Sequence, residues 1–164
     1  MLSLQRFALF SNNKDLIEDG VSLRQLKNHE KEANFLSSGL KDWLDKEYVS
    51  MDVHRRIGEV VGDSYLDARK EGVDDLGHMV MHVGTRLESE DISDAFVNSW
   101  DIANKVSDML LVLLDRETCS CAGDLSFFLD HAKQLGLLPS AVSAVQAPQK
   151  DDSADQSRFD VDVK

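Results

Sequence analysis

The chain has 164 residues, with 18 Lys and Arg against 30 Asp and Glu and a formal charge of -12, a balance that argues against coating nucleic acid or binding phospholipid through basic side chains. With 42% hydrophobic residues the chain can bury a core of ordinary single-domain size, which argues against disorder of the whole. Only Cys119 and Cys121 occur, so a disulfide scaffold is excluded and a reducing, cytoplasmic setting is expected.

Met1 to Phe10 is apolar for a chain end but lacks a signal-peptide cleavage pattern, and no apolar run approaches the roughly 20 residues of a membrane span. This segment is expected to dock on the body of the protein or on another subunit. No proline precedes Pro139, and strand-like alternation is scarce. Residues 22–48 place Leu23, Leu26, Ala33, Leu36, Leu40, Trp43, Leu44 and Tyr48 at helical spacings, with Ser22 as cap and Gly39 as a point of interruption. Residues 51–70 repeat the period through Val53, Ile57, Val60, Val61 and Tyr65, and Gly72 suits the stop. Asp74 and Asp75 open a third helix, with Leu76, Met79, Val80, Val83 and Leu87 on one face.

From Ser89 to Thr118, the residues Ile92, Phe96, Ser99, Ala103, Val106, Leu110 and Leu113 step by four and three, a heptad seam expected to run along one helix of roughly 40 Å and to serve self-association. Asp124 then caps a last helix bearing Leu125, Phe128, Leu129, Ala132 and Leu135, which Gly136 and Pro139 end; residues 140–147 can add a short turn. Residues 149–164 have few apolar groups and no helical period, and read as a disordered acidic tail. The expected fold is therefore all-α: a compact bundle of about five helices in one domain, residues 1–148, with a long central helix. Most of the negative charge belongs to the body, since residues 71–148 carry 13 acidic and 4 basic side chains.

Gly58 with Gly62, and Gly77 with Gly84, each share a helix face. Glycine costs about 1 kcal/mol against alanine inside a helix, so these pairs predict close backbone approach of the second and third helices. His78 and His82 are four apart with Asp75 one turn earlier, a trio that can hold a divalent metal or stand as exposed histidines. The Cys119 and Cys121 pair lacks two further ligands for a closed zinc site. Asp52 and Glu59 flank the basic run His54, Arg55 and Arg56, favouring intrahelical charge pairs over a phosphate site.

Residues 57–106 resemble in layout the MazG-like, all-α nucleoside triphosphate pyrophosphohydrolases. That family carries Glu-Glu-x-x-Glu on one helix and Glu-x-x-Asp on the next. The corresponding stretches are Glu59-Val60-Val61-Gly62-Asp63 and Asp75-Leu76-Gly77-His78. The resemblance implies magnesium or manganese held by Glu59, Asp63 and Asp75, with His78 and His82 nearby, against a triphosphate. Val60 and His78 replace two carboxylates of the pattern, which implies an inactive site or a softer metal.

Three functions follow. The first is a non-enzymatic interaction or assembly protein, without cofactor, that binds a protein partner or itself and associates through Ile92, Phe96, Ala103, Val106, Leu110 and Leu113. The second is metal-dependent nucleotide hydrolysis, and the third is acidic mimicry of nucleic acid.

Overall fold

The computed structural model describes residues 20–118 and 123–138. The apolar start, both cysteines, the turn expected at 140–147 and the acidic tail lie outside the described residues. Within them the order is α1 (His29–Glu47), α2 (Asp52–Lys70), α3 (Leu76–Glu88), a short 3-10 turn (Ser93–Ala95), α4 (Ser99–Leu113) and α5 (Ser126–Gln134). The fold is an all-α bundle, and no described helix is long and apolar enough to cross a membrane.

Residues 21–27 form an extended and turning strap where a helix capped by Ser22 is expected. Leu23 N donates to Asp74 O and Leu76 N to Val21 O, around an antiparallel bridge between Ser22 and Asp75. Leu23 and Leu26 are buried all the same, so their helix-like spacing serves the core from a non-helical backbone. The helix begins where Asn28 accepts from Lys31 N at 3.2 Å and Glu32 Oε1 accepts from Asn28 N at 2.9 Å. This reciprocal cap satisfies amides that a first turn leaves unpaired.

The pair α1 and α2 runs antiparallel across the short loop 48–51, in a register marked by Tyr65 on Glu32 and His54 on Asp45. Gly58 and Gly62 allow the approach: a Cβ on Gly58 would collide with the Ser37 carbonyl, and one on Gly62 would lie 3.2 Å from Ser37 Cβ. Gly84 instead receives the Trp100 ring, and Gly77 faces only its neighbour Asp75. The predicted meeting of the two glycine pairs is therefore wrong; each accommodates a different partner. Gly39 does not interrupt α1. It opens space for Met109 of α4 and for His131 and Phe128 of α5.

Helix α2 ends as expected. Gly72, at φ 84, allows Val73 N to reach Ala68 O and Gly72 N to reach Arg69 O, a left-handed stop that glycine adopts without a Cβ penalty. Asp75 caps α3 by accepting from His78 N at 3.0 Å.

The long helix expected over Ser89–Thr118 does not form. Asp91 captures the Ser93 hydroxyl at 2.8 Å, Phe96 takes a left-handed conformation at φ 56, and Asn98 starts α4 by accepting from Asp101 N at 2.9 Å. Local side-chain bonds and a cap thus outcompete propagation through residues 89–98, leaving α4 with 15 residues, about 22 Å. Asp115, at φ 51, occupies the left-handed stop that glycine fills after α2, with Arg116 N reaching Leu111 O. Helix α5 ends on Gly136 in the same way, Leu137 N reaching Ala132 O.

The core joins Phe35, Leu36, Leu40 and Leu44 of α1 to Ile57, Val61 and Tyr65 of α2, Met79, Val83 and Leu87 of α3, Ile102, Val106, Met109 and Leu110 of α4, and Phe128 of α5. Full burial contributes about 1.5–3 kcal/mol for each large apolar side chain.

Candidate functional site

The predicted metal residues do not assemble. Glu59 is exposed and paired within its own helix with Arg55 Nη1 at 2.6 Å. Asp63 is also exposed on α2. Asp75 caps α3, with His78 Nδ1 3.4 Å from its Oδ1. Asp75 and His78 border an open depression of about 760 Å³ with Gly20, Arg24 and Asp74, but Glu59, Asp63 and His82 do not line it. Among the described residues no group of three or more His, Cys, Asp or Glu side chains is placed to hold a metal ion. The spacing that suggested facing carboxylates is real on each helix; tertiary packing turns Glu59 and Asp63 to solvent and commits Asp75 to a helix end.

The expected self-association seam is likewise spent inside the chain. Ile92, Ala103, Val106, Leu110 and Leu113 are buried in the core, whereas Phe96 stands 81% exposed. The seam ran through a helix break, so Phe96 does not share a face with the residues that follow it.

Two polar clusters that sequence reasoning missed hold the bundle together. Arg69, 8% exposed, donates to the carbonyls of Leu23 at 3.3 Å, Leu26 at 3.2 Å and Val73 at 2.9 Å, to Asp74 Oδ1 at 2.8 Å and to His29 Nε2 at 3.1 Å. It is the clamp that fixes the strap against α2. Beside it, Tyr65 donates to Glu32 Oε2 at 2.6 Å, and burial together with that carboxylate holds the phenol well above its usual range. Every polar atom thus recruited is a scaffold atom. The signal available in advance was weak: Arg69 falls on the apolar side of α2, in register with Ala68 and Tyr65.

In the second cluster, Lys41 Nζ lies 2.8 Å from Asp45 Oδ2 and His54 Nδ1 donates to Asp45 Oδ1 at 2.7 Å. Lys41 first and His54 second pull the Asp45 carboxyl down to about 2. His54 is fully buried, and its Nε2 finds no partner among the described residues. The sequence placed His54 in a basic patch; the fold removes it from solvent and leaves Arg55 and Arg56 outside.

Tyr48, Val49, Met81, Phe96 and Leu129 are the large hydrophobic side chains left exposed among the described residues. Three of them lie at one end of the bundle. Gly39 abuts Met109, and Lys105 Nζ sits 5.1 Å from the centre of the Trp43 ring, so α1 and α4 run antiparallel and the end of α1 adjoins the start of α4. Arg56, near the start of α2, donates to the Asp91 carbonyl, bringing the loop before α4 to the same end. Tyr48 and Val49 after α1 and Phe96 before α4 therefore share it.

A profile of the family described as Domain of unknown function (DUF8822) matches residues 20–114. The chain belongs to that family. The DUF8822 match begins with the strap and closes with α4, so it encloses the Arg69 clamp, the Asp45 and His54 pair and all three residues of the apolar end. Helix α5 lies beyond it. No curated protein and no solved structure matches the chain.

Proposed function

We propose that this domain is a non-catalytic protein-interaction module that docks through the end of the bundle bearing Tyr48, Val49 and Phe96. The observation that carries this reading is their joint exposure, with Val49 at 82% and Phe96 at 81%, on a domain whose other described large apolar groups, Met81 and Leu129 aside, are buried or half-buried. Exposed apolar side chains at one end of a bundle favour association there, because burying them against a partner removes apolar area from water. The heptad-like residues of α4 support the same view by being unavailable, so association uses this end and not a coiled-coil seam.

The test is a triple variant, Tyr48→Ser, Val49→Ser and Phe96→Ser, compared with the native chain by light scattering over a range of concentrations and by quantitative capture from an extract of the source cells. The native chain should form a complex, with itself or with a retained protein, that the triple variant does not form, while both keep the same helical circular dichroism. Identical masses and identical retained proteins for the two chains would refute the proposal.

A further inference from the structure

We infer that the loop joining α3 to α4 is a docking arm, with Phe96 as its anchor, for a basic protein surface that holds an apolar pocket. This rests on the reading of the domain as an interaction module, and it names the chemistry of the partner.

Phe96 combines two properties that folding alone does not favour. Its backbone is left-handed at φ 56, a conformation that costs an L-residue with a bulky side chain free energy and that glycine or asparagine tolerates better. Its ring is 81% exposed, so little core burial offsets that cost. The rest of the loop holds the ring in this position: Ile92 and Ala95 are buried on one side of it, and the Asn98 cap starts α4 on the other.

Charge identifies the partner. From Leu87 to Asn104 the sequence carries Glu88, Glu90, Asp91, Asp94 and Asp101 and no Lys or Arg. The Ser93 hydroxyl and amide hold the Asp91 carboxyl below the usual carboxylate range. Two cations reach the loop from outside residues 87–104: Arg86 lies 3.4 Å from Glu90 and offsets it, and Arg56 donates to the Asp91 carbonyl, which leaves carboxylates in excess. An aromatic anchor on a stretch of chain whose own charged side chains are all carboxylates fits a surface with Lys or Arg around an apolar cavity. A second copy of this acidic chain would be repelled there, since like charges across an interface oppose association and opposite charges favour it.

The experiment uses the full chain and a synthetic amphipathic helical peptide with leucines on one face and lysines on the other, followed by NMR shift mapping and titration. Shifts should concentrate on residues 88–101, and Phe96→Ser should weaken binding about tenfold or more. Added salt should weaken it too, and a matched peptide with glutamates for lysines should not bind. Phe96→Asn should also lose binding while raising the melting temperature by about 2–4 °C, as relief of the left-handed strain implies for a chain of this size. Unchanged affinity of Phe96→Ser, or a lowered melting temperature for Phe96→Asn, would overturn the docking arm. If Val49→Ser abolishes binding while Phe96→Ser does not, the arm falls and the apolar end stands; shifts that map elsewhere and ignore both variants would remove both.

Discussion

Replacing Gly58 with alanine sets two opposed effects against each other at one helix position. Alanine gains about 1 kcal/mol of helix propensity over glycine. At Gly58, however, the new Cβ collides with the Ser37 carbonyl oxygen of α1, which is helix backbone and cannot swing aside. Overpacking of this kind costs about 1–3 kcal/mol, and a backbone obstacle places the cost toward the top of that range. The net expectation is a loss of about 1–2 kcal/mol, which at a urea slope near 2 kcal/mol/M lowers the unfolding midpoint by about 0.5–1 M. Two neighbouring substitutions calibrate the result. At Gly62 the added atom meets Ser37 Cβ at 3.2 Å and Ala33 O at 3.3 Å, and at Gly39 the nearest atom is Met109 Cε at 2.9 Å, the end of a flexible side chain. Gly62→Ala and Gly39→Ala should therefore stay close to the native midpoint, as propensity and crowding nearly cancel. Urea melts followed by circular dichroism at 222 nm decide the order. A Gly58→Ala midpoint at or above the native one, or Gly39→Ala as the least stable of the three, would refute the close approach of α1 and α2 as the reason for these glycines.

Arg69→Met should destabilise the fold by about 3 kcal/mol in the same melts, because it takes the Arg69 hydrogen bond from the Leu26 and Val73 carbonyls, from Leu23 O, which keeps Leu26 N, and from Asp74, which keeps Arg24; a loss below about 1 kcal/mol would show that water replaces the guanidinium. Asp45, held near 2 against an unfolded value near 4, contributes stability that is present above about pH 4 and is lost as pH falls toward 2, since the unfolded chain then binds the extra proton. Asp45→Asn should flatten that part of the pH dependence, and an unchanged slope between pH 4 and 2 would contradict the assignment. Millimolar magnesium, manganese or zinc should leave the melting temperature unshifted, because the carboxylates of α2 and the cap of α3 do not converge; a saturable rise, as linkage requires of a bound ion, would show a site that these residues do not make.

The helices of this protein were legible wherever a local signal was complete. The span 51–70 has an uninterrupted apolar period closed by Gly72, and α2 covers nearly the same residues. Asp75 before Leu76 announced the start of α3, and Gly136 the end of α5. The failures occur where local and distant partners compete. Leu23 and Leu26 carry a helical spacing, but Arg69 on α2 takes their carbonyls and draws the strap into an extended course. Ile92 and Phe96 continue the seam of α4 on paper, but Asp91, Ser93 and Asn98 divert the backbone and put one residue in the core and the other in solvent.

Composition and periodicity by themselves determined an acidic, all-helical chain with one core, because apolar spacing and caps act within a few residues. The partners of the helix glycines, of Arg69 and of His54 were tertiary. Which helix each glycine meets, how Arg69 draws in the strap and where His54 is buried are set by packing between elements, whereas Glu59 meets Arg55 one turn away on α2 and Phe96 is turned outward by bonds within its own loop. A spacing can place side chains on one side of a helix; only the packed neighbours decide what that side looks at.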